Sequence, residues 1–183
     1  MPFALRLPAP RFSRWLRALA LVLACGFALP TVSACKKEPT IPGTEIPDTP
    51  ENRDILAVLE RYRTAFVRRD ATGVLATAHP TYYDTAGTDD PGDDVEYAEL
   101  GPLLRVRMAQ LEAVRFTIDY LEVHVSKDRA SVRVWIDASF RLQPLVDESS
   151  GDVRVDGKHT RKQDHAMFEL VRDGRAWRIT RGI

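Results

Sequence analysis

Residues 130–142 read ASVRVWIDASFRL, and their pattern decides the fold. Apolar residues occupy every second position, whereas Ser131, Arg133, Trp135 and Asp137 stand between them. Because successive side chains of a β-strand point to opposite faces, this alternation predicts a strand with one face on a core and the other toward solvent. Trp135 falls on the polar side, which indicates an outward aromatic that either binds a partner or is covered by the aliphatic stems of the arginines beside it.

Three further strands are predicted around this one. Residues 115–125 also alternate, but their apolar positions shift by one after Tyr120, which predicts a bulge that bends the strand. Residues 161–172 and 175–183 alternate on either side of Asp173–Gly174, a dipeptide that favours a tight hairpin turn. The second half of the chain therefore predicts a long, curved antiparallel sheet.

Helical periodicity precedes the strands. Apolar residues over 51–69 recur at intervals of three and four, and Thr49–Pro50 supplies a cap and a first-turn proline. Asp70 predicts the N-cap of a second helix over 71–78, and Gly101–Pro102 predicts the start of a third. Three helices followed by a curved antiparallel sheet predict an α+β fold in which the helices cover one sheet face and leave a cone.

The first 34 residues predict a bacterial lipoprotein signal peptide. Four arginines and no acid accompany an apolar run over 18–29, which is too short to span a bilayer comfortably. The following VSAC, residues 32–35, resembles lipoprotein processing sites, and Cys35 is the predicted acylation site; Cys25 follows a similar pattern but lies inside the apolar run. A plain cleaved signal and an uncleaved anchor stay open. The acyl chains on Cys35 predict a membrane anchor in the bacterial cell envelope, and Lys36 resembles outer-membrane sorting with the domain facing the periplasm.

Composition divides the remaining chain into two parts. Residues 35–50 carry the lipidated cysteine and four prolines and predict an extended tether, whereas residues 51–183 predict one domain with a single core. Without the leader the chain has 22 basic and 26 acidic residues, which disfavours a nucleic-acid partner. Acylation of Cys35 leaves no free thiol for a disulfide or a thiolate metal site. One short basic cluster fits a charged sheet edge: Lys158, His159, Arg161 and Lys162.

Three stretches resemble the nuclear transport factor 2-like (NTF2-like) superfamily, which includes ketosteroid isomerase, scytalone dehydratase and SnoaL-type polyketide cyclases. They are residues 62–70 (YRTAFVRRD), Tyr83–Asp84 before Gly87, and FEL at 168–170 with DGRAWRI at 173–179. The resemblance covers nearly the whole predicted domain, and its motifs specify architecture better than chemistry. It implies an apolar pocket between the first helix and the concave sheet, and a homodimer through the outer sheet face.

The resemblance also implies site residues. In ketosteroid isomerases a helix tyrosine donates to the substrate oxygen, an aspartate moves the proton, and a protonated acid on a late strand completes the oxyanion site. Tyr62 matches the tyrosine, and Asp84 matches the aspartate if two residues are deleted before it. The late-strand position corresponds to Ala166, with Asp164 two residues away, which weakens an isomerase interpretation. The candidate pocket comprises Tyr62, Phe66, Tyr83, Asp84, Met108, Ala138 and Phe140.

Other titratable residues offer less specific chemistry. His79 could form an acid–base pair with Asp84, although His79–Pro80 fits a helix end equally well. The acidic run over 89–94 carries oxygen ligands of the kind that Ca²⁺ prefers, but it lacks the spacing of an EF-hand and fits a solvated loop. The sequence therefore predicts neither a metal nor a cofactor.

These observations predict a non-enzymatic envelope lipoprotein whose cone-shaped domain binds a small apolar ligand or another envelope protein. The alternative is a proton-transfer isomerase or dehydratase that uses Tyr62 and Asp84. An enzyme needs an open, largely apolar cavity that both side chains reach. Bulky side chains filling the cone would argue against both cavity-based functions.

Overall fold

The alternating stretch forms the second strand of a four-stranded antiparallel sheet in a computed structural model, which describes residues 38–146, 153–155 and 157–183. Three helices occur in the described residues: α1 (Pro50–Val67), α2 (Ala71–Leu75) and α3 (Tyr97–Ala109). The strands in chain order are β1 (Tyr83–Asp84), β2 (Val95–Glu96), β3 (Leu111–Ser126), β4 (Arg129–Leu142), β5 (Leu145–Val146), β6 (Val153–Val155), β7 (His159–Asp173) and β8 (Ala176–Arg181). The predicted α+β architecture is confirmed.

The large sheet has the order β3-β4-β7-β8, and all its neighbouring strands are antiparallel. β1 pairs with β2 and β5 with β6 in two small ladders. A register shift between Tyr120 and Glu122 interrupts β3 where the apolar pattern changes, so the predicted bulge is confirmed. Beyond it, Val123 lies opposite Val132 and Val125 opposite Ala130, so the apolar side chains return to one face.

The two faces of this sheet have different surroundings. The inner face packs against the helices, and Val132, Val134 and Phe168 on it are each 0% exposed. The outer face carries the side chains between these positions, including exposed Arg133 and Met167. The prediction that the helices cover one sheet face is therefore confirmed.

Two helix starts follow the predicted caps. Thr49 Oγ1 accepts a hydrogen bond from Asn52 N at 3.1 Å where α1 begins. Asp70 Oδ1 accepts one from Gly73 N at 2.9 Å where α2 begins. Each oxygen satisfies a backbone donor that the first helical turn leaves free. α2 ends at Leu75, three residues before its predicted end.

The third helix begins earlier than the sequence predicts. α3 starts at Tyr97, so Gly101–Pro102 lies inside it and the predicted start is wrong. Leu100 in the first turn is 2% exposed and belongs to the core, which gives this turn a reason to be helical. A proline this close to the N-terminus removes one helical hydrogen bond, and the helix tolerates it.

The segment before α1 differs most from its prediction. The described part of the predicted tether over 35–50, which begins at Glu38, folds back on itself: Ile41 N donates to Ile46 O at 2.9 Å. Ile46 is 2% exposed within the core cluster, and Asp48 forms an ion pair with Arg53 of α1. The extended-tether prediction is therefore wrong for this part, because a buried isoleucine outweighs the prolines around it. The compact unit spans Glu38–Ile183 rather than 51–183.

The leader and the predicted anchor lie outside the described residues. Residues 1–37 contain both cysteines, Cys25 and Cys35, and the signal-peptide and acylation hypotheses rest on that stretch. Within the part of the chain that the structure describes, no helix is long and apolar enough to cross a membrane. Lipidation at Cys35 and the envelope location therefore stay predictions.

Candidate functional site

Five aromatic rings occupy the space between α1 and the inner face of the sheet. α1 presents Tyr62 and Phe66 one turn apart, and the sheet supplies Phe116, Phe140 and Phe168. Their ring centroids lie 5.0 to 6.2 Å apart in five pairs, mostly tilted or edge-on. These separations are those of rings in direct contact, so the rings form a packed cluster.

Five of the predicted pocket residues lie in or against this packed interior. Tyr62, Phe66, Met108, Ala138 and Phe140 all belong to or pack against one core cluster. Tyr62, Met108 and Ala138 are only 5%, 4% and 2% exposed. Tyr62, Phe66 and Phe140 are also in contact within the ring cluster, with Phe66 between the other two.

Tyr62 is held in its neutral form by this packing. Burial of the phenol raises its pKa far above the ordinary value of 10.0, because the phenolate would lose its hydration. No hydrogen-bond partner for its hydroxyl is found among the described residues. A neutral hydroxyl beside a cavity could donate a hydrogen bond to a substrate. The Tyr62 ring, however, packs against the rings of Phe116 and Phe168.

Asp84 is engaged by the backbone and by a neighbouring hydroxyl. Its Oδ2 accepts from Gly182 N at 2.9 Å and from the Tyr82 hydroxyl at 3.1 Å, and its Oδ1 accepts from Ala86 N at 3.1 Å. Arg181 Nε lies 3.8 Å from Oδ1. This carboxylate accepts three hydrogen bonds, and through them it joins the β1 strand to the last residues of the chain.

Tyr82 is the residue that sequence reasoning missed. Tyr82 is 2% exposed, and its hydroxyl oxygen accepts a hydrogen bond from Ile183 N at 3.1 Å. The same hydroxyl can donate to Asp84 Oδ2 at 3.1 Å or to Ile183 O at 3.3 Å. Burial, and then the charge of Asp84, raise its pKa. Strand alternation could have identified Tyr82 from the sequence, because residues 82 and 84 of an extended segment point to one side and Tyr83 to the other.

Tyr83 consequently lies away from the predicted inner pocket. It is 47% exposed, and its hydroxyl donates to Asp94 in the acidic loop. The prediction that Tyr83 lines the inner pocket is wrong, because its neighbour Tyr82 takes the inward position. Tyr83 instead forms one wall of a cleft on the outer face.

The other residues of the isomerase hypothesis do not converge either. The His79 ring accepts from Thr81 N at 3.1 Å and lies 2.7 Å from Thr81 Oγ1, so its contacts are within its own turn and do not reach Asp84. Asp164 has an exposed side chain, 3.9 Å from Lys162. Ala166 packs against the core and supplies no acid.

A cleft of about 430 Å³ opens on the outer face near the β3–β4 turn. We call it the outer cleft. Thr81 and Tyr83 form one side of it, and the sheet forms its floor. The polar side chains of that floor are His124, Ser126, Arg129, Ser131, Glu169 and Thr180.

An aromatic patch lies farther along the same face. Trp135 and His165 are cross-strand neighbours whose rings meet edge to face at 4.7 Å. Met167, two residues after His165 on the same side of β7, is 54% exposed. We call these three residues the outer patch; they confirm that Trp135 points outward, whereas a partner there stays a prediction.

The charged clusters have local roles. Thr88 donates to Asp93 at 2.7 Å and Asp90 accepts from Gly92 N at 2.9 Å, so the acidic loop organises itself. Among the described residues, no group of three His, Cys, Asp or Glu side chains is arranged to hold a metal ion. In the basic cluster, Arg161 reaches across to Asp137 with two hydrogen bonds of 3.0 and 2.6 Å. The cluster follows the exposed start of β7, as expected of a charged sheet edge.

Comparison with known proteins identifies the architecture. No protein-family model and no curated protein matches the chain. Among solved structures, a ketosteroid isomerase-like protein from Erwinia carotovora atroseptica is 22% identical with a TM-score of 0.53, and the match covers 73% of this chain and 94% of that one. A candidate dehydratase of the NTF2-like family from Streptomyces avermitilis is 17% identical with a TM-score of 0.52, covering 73% and 95%. A conserved protein from Planctomyces limnophilus is 14% identical with a TM-score of 0.57, covering 72% and 92%.

Identities this low carry the fold and leave the activity open. The two neighbours whose names give a family match 73% of this chain with TM-scores of 0.52 and 0.53. On these grounds, the chain has the NTF2-like fold.

Proposed function

We propose that this protein is a lipid-anchored, non-catalytic domain of the bacterial envelope that binds another protein molecule through the outer face of its sheet. The anchor is the acylated Cys35, and the location is the outer membrane, facing the periplasm. The observation that carries the proposal is the ring cluster between α1 and the inner face. A domain whose interior is occupied by its own side chains has only its surface for recognition.

The hydrogen bonds of Asp84 also favour a non-catalytic function. A catalytic base must be within hydrogen-bond reach of the proton that it removes and must be free to accept it. Asp84 is bound by Tyr82, Ala86 and Gly182, and Tyr62 faces phenylalanine rings. These contacts favour binding over proton transfer, and they also disfavour the small apolar ligand predicted for the cone.

The outer patch has the composition of a protein interface. Aromatic residues and methionine are enriched at such surfaces, and polar groups surround them. Arg133 pairs with Glu122 at 2.9 Å and Arg161 with Asp137 at 2.6 Å on the same face. Because these four charges neutralise each other within one chain, the part of the face around the outer patch can meet an identical surface without repulsion between them. A second copy of the chain, itself an envelope protein molecule, is therefore the partner that we propose.

A disulfide test can place the interface, because residues 38–183 contain no cysteine. Met167→Cys puts a thiol in the outer patch, and we expect it to give a covalent dimer under mild oxidation. Val106→Cys is the matched control, since Val106 is also apolar and 60% exposed but lies on α3. Trp135→Asp should shift the sedimentation of residues 38–183 toward a monomer.

The results of this test distinguish a second copy of the chain from a different envelope protein. Equal cross-linking from both positions, with a monomer at every concentration, would reject the second copy. A photo-reactive residue at Met167 in the native host would then test a different envelope protein, whose purified form must lose binding to the Met167→Asp variant. Membrane release by Cys35→Ser tests the anchor separately, and unchanged membrane association would remove that part of the proposal.

The isomerase or dehydratase alternative keeps one supporting observation. Asp84 accepts from Gly182 N, the Tyr82 hydroxyl accepts from Ile183 N, and Tyr82 and Tyr62 are both buried in the core cluster. If residues 182–183 moved away, these groups could face a ligand. A 3-oxo-steroid probe that binds the wild-type protein, and is lost from both Tyr62→Phe and Asp84→Asn variants, would favour this alternative.

A further inference from the structure

We infer that the outer cleft is a binding site for a small anion that also carries hydroxyl groups, such as a sugar acid or a polyol phosphate. This site lies on the face opposite to the cone. It uses none of the residues of the isomerase hypothesis, and it does not require the partner proposed above.

The strand register places the polar side chains of the floor in two neighbouring rows. Ser126 lies opposite Arg129 in the first row, and His124 lies opposite Ser131, with Glu169 beyond it, in the second. Directly opposite side chains in a sheet have Cβ atoms about 5 Å apart, so one small molecule can touch both rows. Thr180 of β8 lies at the Glu169 end of the cleft.

Most of these groups have no partner in the described part of the chain. Neither an ion pair nor a side-chain hydrogen bond involves Arg129, His124, Ser126, Ser131 or Thr180 there. The other two arginines of β4 behave differently, since one pairs with Glu122 at 2.9 Å and the other with Glu112 at 3.4 Å. Arg129 therefore differs from the other two arginines of β4 because it has no carboxylate partner in the described part of the chain, and it lies in the cleft beside the hydroxyl groups of Ser126 and Ser131.

The distribution of charge selects the ligand. The Arg129 guanidinium, beside Ser126, presents the donor fork that suits a carboxylate or a phosphate. At the other end Glu169 is close to Arg181, at 3.9 Å, so its charge is partly balanced. The hydroxyls of Ser131 and Thr180 beside this carboxylate can donate and accept, which matches hydroxyl groups better than an apolar tail.

The shape of the site is compatible with a ligand of this kind. About 430 Å³ falls within the range of roughly 300–1,000 Å³ that small-molecule sites occupy. Tyr83 contributes an exposed ring as a side wall, and its hydroxyl is fixed by Asp94. The Tyr83 ring is therefore restrained, and the backbone of the floor is held by strand pairing, which limits the backbone entropy lost on binding.

The test is a titration of isotope-labelled residues 38–183, followed by amide chemical shifts. Gluconate and glycerol 1-phosphate are the probes, because each has an anionic group and hydroxyls and they separate a carboxylate from a phosphate source. Acetate and inorganic phosphate lack the hydroxyls, and sorbitol lacks the charge. We expect saturable shifts at the cleft residues, with at least one probe binding about tenfold more tightly than its matched fragments.

Three variants distinguish a binding site from general attraction to surface charge. Arg129→Gln should weaken the better probe about tenfold, since a charged hydrogen-bond pair is lost. Arg133→Gln removes the same charge four residues along the same strand and face, outside the cleft, and should leave binding unchanged. Ser131→Leu should block the cleft floor without a charge change, with the fold checked by the unchanged shifts of the core.

Three results would overturn the inference. Equal weakening by Arg129→Gln and Arg133→Gln would show attraction to the surface charge alone. Binding of sorbitol as tightly as gluconate and glycerol 1-phosphate would remove the anionic requirement. Shifts spread over the sheet, or the absence of saturable shifts with any probe, would show that the cleft holds no such ligand.

Discussion

The inner and outer faces of β4 are made by the same strand and separated by one residue. Val132 and Val134 are 0% exposed beneath the helices, while Arg133 between them is exposed and paired with Glu122. The inner face commits its side chains to packing, and the outer face keeps its polar groups available. In this molecule, therefore, stability and recognition are divided between faces, whereas the cavity hypothesis assigned both to the cone.

This division offers matched substitutions, because adjacent residues of one strand test opposite faces at the same place in the sheet. A change on the inner face should appear in the free energy of unfolding. A change on the outer face should appear in binding. Any position that reverses this expectation shows where the division fails.

The largest effect is expected at Phe168, which is 0% exposed and whose ring lies 5.4 Å from that of Tyr62. Phe168→Ala should lower the free energy of unfolding by about 3–5 kcal/mol, because burial is lost and a cavity remains. Met167→Ala, one residue earlier and on the outer face, should change it by less than about 0.5 kcal/mol. Urea denaturation of both variants measures the difference. Similar losses from the two would contradict the division of faces.

A second large effect is expected in the segment that precedes α1. Ile46→Ala should lower the free energy of unfolding by about 2–4 kcal/mol, since Ile46 is 2% exposed in the core cluster. Val106→Ala is the control, because Val106 is 60% exposed. A loss at Ile46 no larger than at Val106 would mean that this segment is dispensable, as the tether hypothesis requires.

The sequence predicted what depends on short-range pattern. Alternation located β4 and the bulge in β3, and the oxygen of Thr49 located the start of α1, because each signal acts within a few residues. The folding of the segment around Ile46 depends on contacts distant in sequence. Composition alone therefore gave too much weight to its prolines.

The candidate site could be predicted only in part for the same reason. Helical spacing and the family resemblance placed Tyr62 and Phe66 together, which the structure confirms at a ring separation of 5.9 Å. Whether their neighbours leave a hollow depends on the sizes of rings from three strands. The assignment of Tyr83 failed by one residue, because a two-residue strand offers too short an alternation to read.

An intermediate effect is expected from the buried tyrosines. Tyr82→Phe should lower the free energy of unfolding by about 1–2 kcal/mol, because Asp84 loses one of its three hydrogen bonds and Ile183 N loses its acceptor. Tyr62→Phe should have little effect, since no described partner accepts its hydroxyl. Thermal and urea unfolding of both variants check this order. A larger loss at Tyr62 would indicate a hidden polar contact in the cone and would reopen the catalytic alternative.

The smallest effect is expected from an outer-face ion pair. Arg161 holds the pKa of Asp137 below its ordinary value of 3.8, chiefly through their hydrogen bonds. A lowered native pKa means that the pair contributes stability above that ordinary value and loses it as the pH falls through the native pKa. Asp137→Asn should therefore change unfolding at pH 7 too little for urea denaturation to resolve, because exposed pairs are well solvated.

The titration of the carboxyl is the sensitive measurement of this pair. Carboxyl NMR should show Asp137 protonating below 3.8 in the wild-type protein and closer to that value in the Arg161→Gln variant. A wild-type pKa at or above 3.8 would mean that the Asp137–Arg161 pair does not form in solution. The two charges would then not neutralise each other on the outer face. A shift that is present without measurable stabilisation would instead show that such pairs set the charge of a recognition surface while the rings of the inner face hold the fold.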